Sequence, residues 1–231
     1  AVEADETATR RVAGNLSNTY YWAALAAAEL GQAATADKYL ADSRRHFEIF
    51  ARELKPATFE HAFYPTLPSV SRVELAMLQG DPARARAAAK GLRERLLQLQ
   101  PTNAYDRRRV AEQLRRLHVV LGWAELQARN FVAAQGQFAL VAEARKSLPT
   151  RTLTNRREAA DDAALLAITL AHSGRLDEAH ALAVPVLAFQ RELHARKTED
   201  QWHKIGLALA LLAVAQSTPD KSGALLAGEM S

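Results

Sequence analysis

"GRLDEAHALAVPVLAFQREL" (174–193) is the stretch whose reading decides the fold. His172 stands just before it, Asp177, Glu178 and His180 lie inside it, and Pro185 interrupts its apolar run. Those are the side chains of a metal or acid–base site, and a rigid site needs them on one face. Gly174, however, separates the end of one helical pattern from the start of the next, so His172 and His180 belong to different helices. Asp177 and Glu178 then occupy a first helical turn, where free backbone amides and the helix dipole favour acids. The stretch reads as a tight turn and the opening of a helix, which Pro185 is expected to kink. We expect no metal site and no catalytic residue here or elsewhere, and no cofactor. HExxH, a glycine-rich phosphate loop and GxSxG are absent from the sequence. His194 and His203, across a further helix boundary, are expected to face solvent.

The same turn recurs along the chain. "LGQAATA" surrounds Gly31, "QGDPARA" Gly80, "ARNFVAA" Arg129 and "STPDKSGA" Pro219, giving spacings of 49, 49, 45 and 45 residues with Gly174 as the fourth anchor. An alanine follows five residues after each anchor: Ala36, Ala85, Ala134, Ala179 and Ala224. A small residue there lets two helices cross closely just after a tight turn. Between the turns the apolar residues keep helical spacing, as in Val110, Leu114, Leu117, Leu121, Ala124 and Ala128, and again in Leu92, Leu96 and Leu99. Proline-rich and polar stretches at 55–70, 100–104, 148–155 and 217–220 read as loops. The longest of them is expected to pack Phe59, Phe63 and Tyr64 onto the helices.

Composition agrees. Hydrophobic residues make up 48% of the chain but aromatics only 6%, so the apolar content is mostly Ala and Leu, both strong helix formers. Runs of alternating β-branched residues are nearly missing, and no sheet is expected. The absence of cysteine excludes disulfides, thiolate-bound zinc and thiol catalysis, and leaves the compartment open. "IGLALALLAVA" (205–215) is too short an apolar run to span a bilayer, so no membrane insertion is expected, and residues 1–10 are too acidic and polar for a signal peptide. With no initiating Met and a helical pattern already under way at its start, the chain reads as a soluble portion of a longer protein.

The repeated unit resembles the tetratricopeptide repeat. Leu166, Ala167, Leu170, Gly174 and Ala179 fall on that family's pattern, as do Leu121, Gly122, Phe131, Ala134 and Phe138, and Ala23, Ala24, Gly31, Ala36 and Leu40. The period departs from the family's usual 34 residues, implying longer helices or connections, and Glu125 stands where the family has a large apolar residue. The resemblance implies an all-α, right-handed α-solenoid of about five antiparallel helical hairpins, one domain over residues 1–231. It further implies a non-catalytic scaffold for a protein or peptide partner, as in the regulatory or sensor regions of bacterial kinases and transcriptional regulators. In such stacks the first helix of each hairpin lines a concave groove. On that register Asn18, Tyr21 and Leu25, then Arg116, Val119 and Trp123, then Asp161, Ala164 and Ile168 would face the partner, while Trp22 and Trp123 have core between hairpins as their other reading.

Charge suggests a competing function. Residues 81–116 carry a net charge of +6, more than the +4 of the whole chain. Arg107, Arg108, Arg109, Arg115 and Arg116 are the candidate anion-binding residues of this tract, which extends from Arg84 to Arg116. A nucleic-acid or polyanion-binding module is the alternative reading. The pattern argues against nucleic acid as the partner, because Tyr105 alone supplies an interleaved aromatic.

Overall fold

The computed structural model describes residues 2–52, 54, 58–196 and 201–218; among them the chain is all-α and contains no strand. Its backbone contacts gather into two compact units, residues 1–124 and 125–231. The first holds α1 (Val2–Glu29), α2 (Ala33–Arg52), the short α3 (Phe59–Phe63), α4 (Leu67–Leu78), α5 (Pro82–Ala89), α6 (Leu92–Gln98) and most of α7 (Ala104–Gln127). The second takes in the last turn of α7, then α8 (Phe131–Arg145), α9 (Leu153–His172), α10 (Leu176–Arg196) and α11 (Gln201–Ser217). Among the described residues no helix is long and apolar enough to cross a membrane.

Four helix-to-helix corners share one hydrogen-bond pattern. Gly31, Gly80, Arg129 and Gly174 all have left-handed backbones, with φ of 72°, 73°, 56° and 79°. At each, the residue's own N–H donates to the carbonyl three positions back, as Gly174 does to Ala171. The next N–H donates five positions back, as Arg175 does to Leu170. Gln32, Asp81 and Asn130 repeat that second bond to Ala27, Ala76 and Glu125. This pair of bonds satisfies helix-end carbonyls that would otherwise have no partner. The residue after the left-handed one then starts the next helix by accepting from the alanine four further on. Those alanines, Ala36, Ala85, Ala134 and Ala179, are each 0% exposed. The corner expected near Pro219, with Ala224, lies outside the described residues.

Burial follows the same count. Seven residues before the corners stand Ala24, Val73, Gly122 and Ala167; nine after them stand Leu40, Ala89, Phe138 and Ala183, all buried. In the first unit Ala24, Ala27, Ala28, Ala36 and Leu40 close the α1–α2 contact against Leu75 of α4. A second cluster joins α4, α5 and α6 to Leu117 of α7. In the second unit α9, α10 and α11 share one core containing Ala164, Ile168, Ala183, Leu187, Ala210 and Leu211.

Three features depart from the expectations. Residues 59–78 are largely helical where a loop through residue 70 was predicted; Pro65 and Pro68 occupy first-turn positions, where a missing N–H costs nothing. The aromatics do pack as expected, with Phe63 only 2% exposed. Gly91, at φ 70°, divides the second helix of its hairpin into α5 and α6. His203 is buried, not solvent-facing: it shares the inward stripe of α11 with Gly206, Ala210, Ala213 and Ser217. Helix α10 continues on both sides of Pro185, which is exposed, as is Ala181, whose carbonyl loses its usual helical donor to the proline.

A left-handed backbone costs a non-glycine residue about 1–2 kcal/mol, and Arg129 bears that cost at an exposed position. Replacing Arg129 with Gly should raise stability by about 0.5–1 kcal/mol, while Gly80→Ala and Gly174→Ala should each lower it by about 1 kcal/mol. Urea unfolding midpoints check this. A loss of stability in Arg129→Gly would contradict the equivalence of the corners.

Candidate functional site

Three of the groove residues expected from the sequence meet at one cleft of the first unit. The cleft has a volume of about 360 Å³ and is walled by α1, α2, α4 and α7 together with the Tyr64–Thr66 turn. Asn18 and Tyr21 come from α1 and Arg116 from α7, while Phe47, Phe50 and Tyr64 supply aromatic wall. Those rings pack on one another: Phe50 meets Tyr64 edge-on at 5.0 Å between centroids, and Phe47 lies 6.0 Å from Phe50.

Glu74 of α4 organises the polar end. Arg116 grips it with two bonds, Nε to Oε1 at 2.7 Å and Nη2 to Oε2 at 2.5 Å. The Tyr21 hydroxyl donates to Glu74 Oε2 at 2.7 Å and accepts from Arg116 Nη2 at the same distance. Three helices are thus tied through one carboxylate. Burial is the main reason the Tyr21 pKa lies well above the usual tyrosine range; the Glu74 charge adds to the rise and Arg116 opposes it. For Arg116 burial works against the charge, but the hydrogen bonds and charge of Glu74 outweigh it and raise the pKa. The serines nearby are likewise bonded: Ser43 Oγ donates to the Ser17 carbonyl at 2.7 Å, and Ser71 Oγ to the Leu67 carbonyl at 3.0 Å. The cleft therefore offers a preformed aromatic wall with the hydroxyls of Tyr21, Ser43 and Ser71 already engaged.

Of the other expected groove residues, Leu25 and Val119 are half-buried, and Trp123 is 37% exposed. Trp22, at 60%, is a surface residue and Trp123 a partly exposed one, so neither is core. Ala164 and Ile168 are corrections: at 0% and 5% exposure they lie in the α9–α10–α11 core and present no free surface. Asp161 is half-buried and accepts a hydrogen bond from Gln190 at 2.8 Å.

The candidate anion-binding arginines divide. Arg107 and Arg108 are exposed. Arg109 is enclosed by its own neighbours, 4.3 Å from the Phe63 ring centroid and 4.9 Å from that of Tyr64, with Tyr105 and Phe59 at 5.4 and 5.5 Å. Asp106 holds it at 3.3 Å. Asp106 is itself fixed by the start of α7, its backbone N–H donating to Asn103 Oδ1 while its carboxylate accepts from Thr102 and Asn103. Arg115 is paired with Glu112. Arg116 is committed to Glu74. A second cavity, of about 560 Å³, is lined by Phe59, His61, Pro65, Arg95, Gln98 and Leu99 among others.

No family model, curated protein or solved structure matches this chain.

The opening stretch falls where the turn reading put it. Asp177 and Glu178 lie in the first turn of α10, and Glu178 takes two bonds from Arg175, which lower its pKa. His172 stacks on Phe131 at 4.0 Å between centroids, whereas His180 lies beside Ser217. Among the described residues no three His, Asp or Glu side chains are grouped to hold a metal ion. Glu74 was missed from sequence. Its one signal there is a lone acid in the apolar run "VELAML".

Glu74→Ala should cost about 2–4 kcal/mol, since it strands a largely covered guanidinium. Tyr21→Phe should cost about 1 kcal/mol, the worth of one hydrogen bond. Chemical denaturation of the two variants distinguishes them, and equal losses would show that Glu74 is not the hub.

Proposed function

We propose that this chain is a non-catalytic protein-interaction module whose first unit takes an apolar side chain of a partner peptide into the Asn18–Tyr21–Arg116 cleft. The observation that carries the reading is the cleft itself. Its size is within the range of ligand sites, Phe47, Phe50, Tyr64, Leu67 and Pro68 give it an apolar wall, and the hydroxyls of Tyr21, Ser43 and Ser71 are bonded within the protein. A groove of that kind favours an apolar anchor from a helix or an extended segment over a free ion. Arg116 supports this, because a guanidinium already bidentate on Glu74 has little left for an incoming anion. The repeated corners support a helical-hairpin stack of the tetratricopeptide-like, right-handed solenoid type, built from about five hairpins in one domain over 1–231. Stacks of that type serve as regulatory or sensor regions of larger bacterial signalling proteins, and we assign this chain to that role.

The polyanion reading keeps a specific observation of its own: Arg107 and Arg108 are exposed within the basic tract. One experiment separates the two. Peptides selected by display on the full chain should bind Asn18→Trp, which plugs the cleft mouth, at least about tenfold more weakly, a loss of about 1.4 kcal/mol. They should bind an Arg107→Glu/Arg108→Glu variant as well as the parent and show shallow salt dependence. Steep salt dependence, lost in the double glutamate variant and untouched by Asn18→Trp, would instead establish the polyanion module.

A further inference from the structure

Gln190 of α10 is 0% exposed, and its amide lies across Gly206 of α11. A Cβ on residue 206 would come within 2.6 Å of Gln190 Nε2 and 2.8 Å of both Cδ and Oε1. The glycine makes the slot, and the slot holds the amide. From there Nε2 donates to Asp161 Oδ1 of α9 at 2.8 Å, while Oε1 has no hydrogen-bond partner. A buried carbonyl oxygen without a donor is unusual, because desolvation makes it costly.

Asp161 stands among both acids and bases of α8 and α9. Its neighbour Asp162 takes Arg145 of α8, at 2.5 Å through Nη2, and Glu158 shares the same arginine at 3.6 Å. Arg157 on α9 and the N–H bond from Gln190 favour the Asp161 carboxylate, whereas Asp162 and Glu158 disfavour it. Opposite stands the Gln190 amide of α10, backed by Gly206 of α11. Burial is the largest influence and pushes the Asp161 pKa up to about 6.

We propose that Asp161 and Gln190 form an acid–amide pair which closes when Asp161 takes a proton, making the α9–α10–α11 packing of the second unit sensitive to pH. The proton comes from solvent and binds Asp161 Oδ2. The new O–H donates to Gln190 Oε1, while Gln190 Nε2 still donates to Oδ1. Two reciprocal bonds replace one, and the orphaned acceptor gains its donor. Loss of the proton returns Oε1 to an unpaired state facing a carboxylate. The sign follows from the direction of the shift. A carboxyl bound more tightly to its proton in the folded state stabilises the fold fully below its unfolded value, near 4, and loses that contribution as pH rises through about 6. This pairing is independent of the cleft reading, which concerns the other unit.

Asp161→Asn supplies a permanent N–H donor in place of the proton. In the full chain it should raise the melting temperature by about 2–4 °C at pH 7.5, by about half as much at pH 5, and hardly at all below about pH 4. The gain should shrink in a Gln190→Met background, where only the relief of a buried charge remains. Carbon-13 NMR of the Asp161 carboxyl should give a midpoint near 6, read apart from His194 and His203, which belong to the same unit. A midpoint near 4, no gain from Asp161→Asn at pH 7.5, or a gain that Gln190→Met leaves undiminished would each overturn the pairing.

Discussion

The left-handed corner is the constraint on which the rest of the structure depends. A single residue with positive φ turns the chain back, lets two N–H groups close the preceding helix, and sets the phase of the helix that follows. Phase matters because the buried alanine five residues later must face the preceding helix for the two backbones to approach. Ala36, Ala85, Ala134 and Ala179 are all fully covered, and positions seven before and nine after the corner are buried with them. Side-chain burial along both helices of a hairpin is thereby fixed by one backbone torsion.

That dependence explains what could be read in advance. The corners were legible because glycine is the residue that adopts positive φ without strain, and alanine the residue that fits a close crossing. Even Arg129, which has no such signature, was placed by the spacing of its neighbours and by its own Ala134. The residues that depend on contacts between distant segments were less legible. Periodicity says that Ile168 and Ala164 lie on some face of α9, but which face meets α10 and α11 is decided by packing, and both proved to be core. His203 failed for the same reason, being a polar residue on an otherwise small and apolar stripe. Residues 59–70 looked like part of a loop because proline was taken as a helix breaker, whereas at a first turn it is a helix starter. Tyr21 and Arg116 were on the expected list, yet nothing local paired them with Glu74, which is 53 positions from one and 42 from the other.

The two units show opposite treatments of a partly buried carboxylate. Glu74 accepts from both a guanidinium and a hydroxyl, so its charge is matched where it stands. Asp161 receives one amide N–H, and burial with the nearby Asp162 and Glu158 outweighs the help of Arg157. Polar groups of the first kind hold helices in one arrangement, and those of the second kind leave the arrangement responsive to conditions. The same side-chain chemistry thus serves rigidity in one unit and titration in the other.

The aromatic enclosure of Arg109 has a consequence for how the chain meets other molecules. Long-range attraction depends on total charge, which an enclosed arginine still contributes, so an acidic object approaching through solution is drawn by the whole basic tract. Contact is another matter: a guanidinium packed among Phe59, Phe63, Tyr64 and Tyr105 and tethered to Asp106 presents little surface for docking. Arg109 therefore adds more to the pull on an approaching molecule than to the grip on a docked one, which falls to charges that stand exposed, such as Arg107 and Arg108.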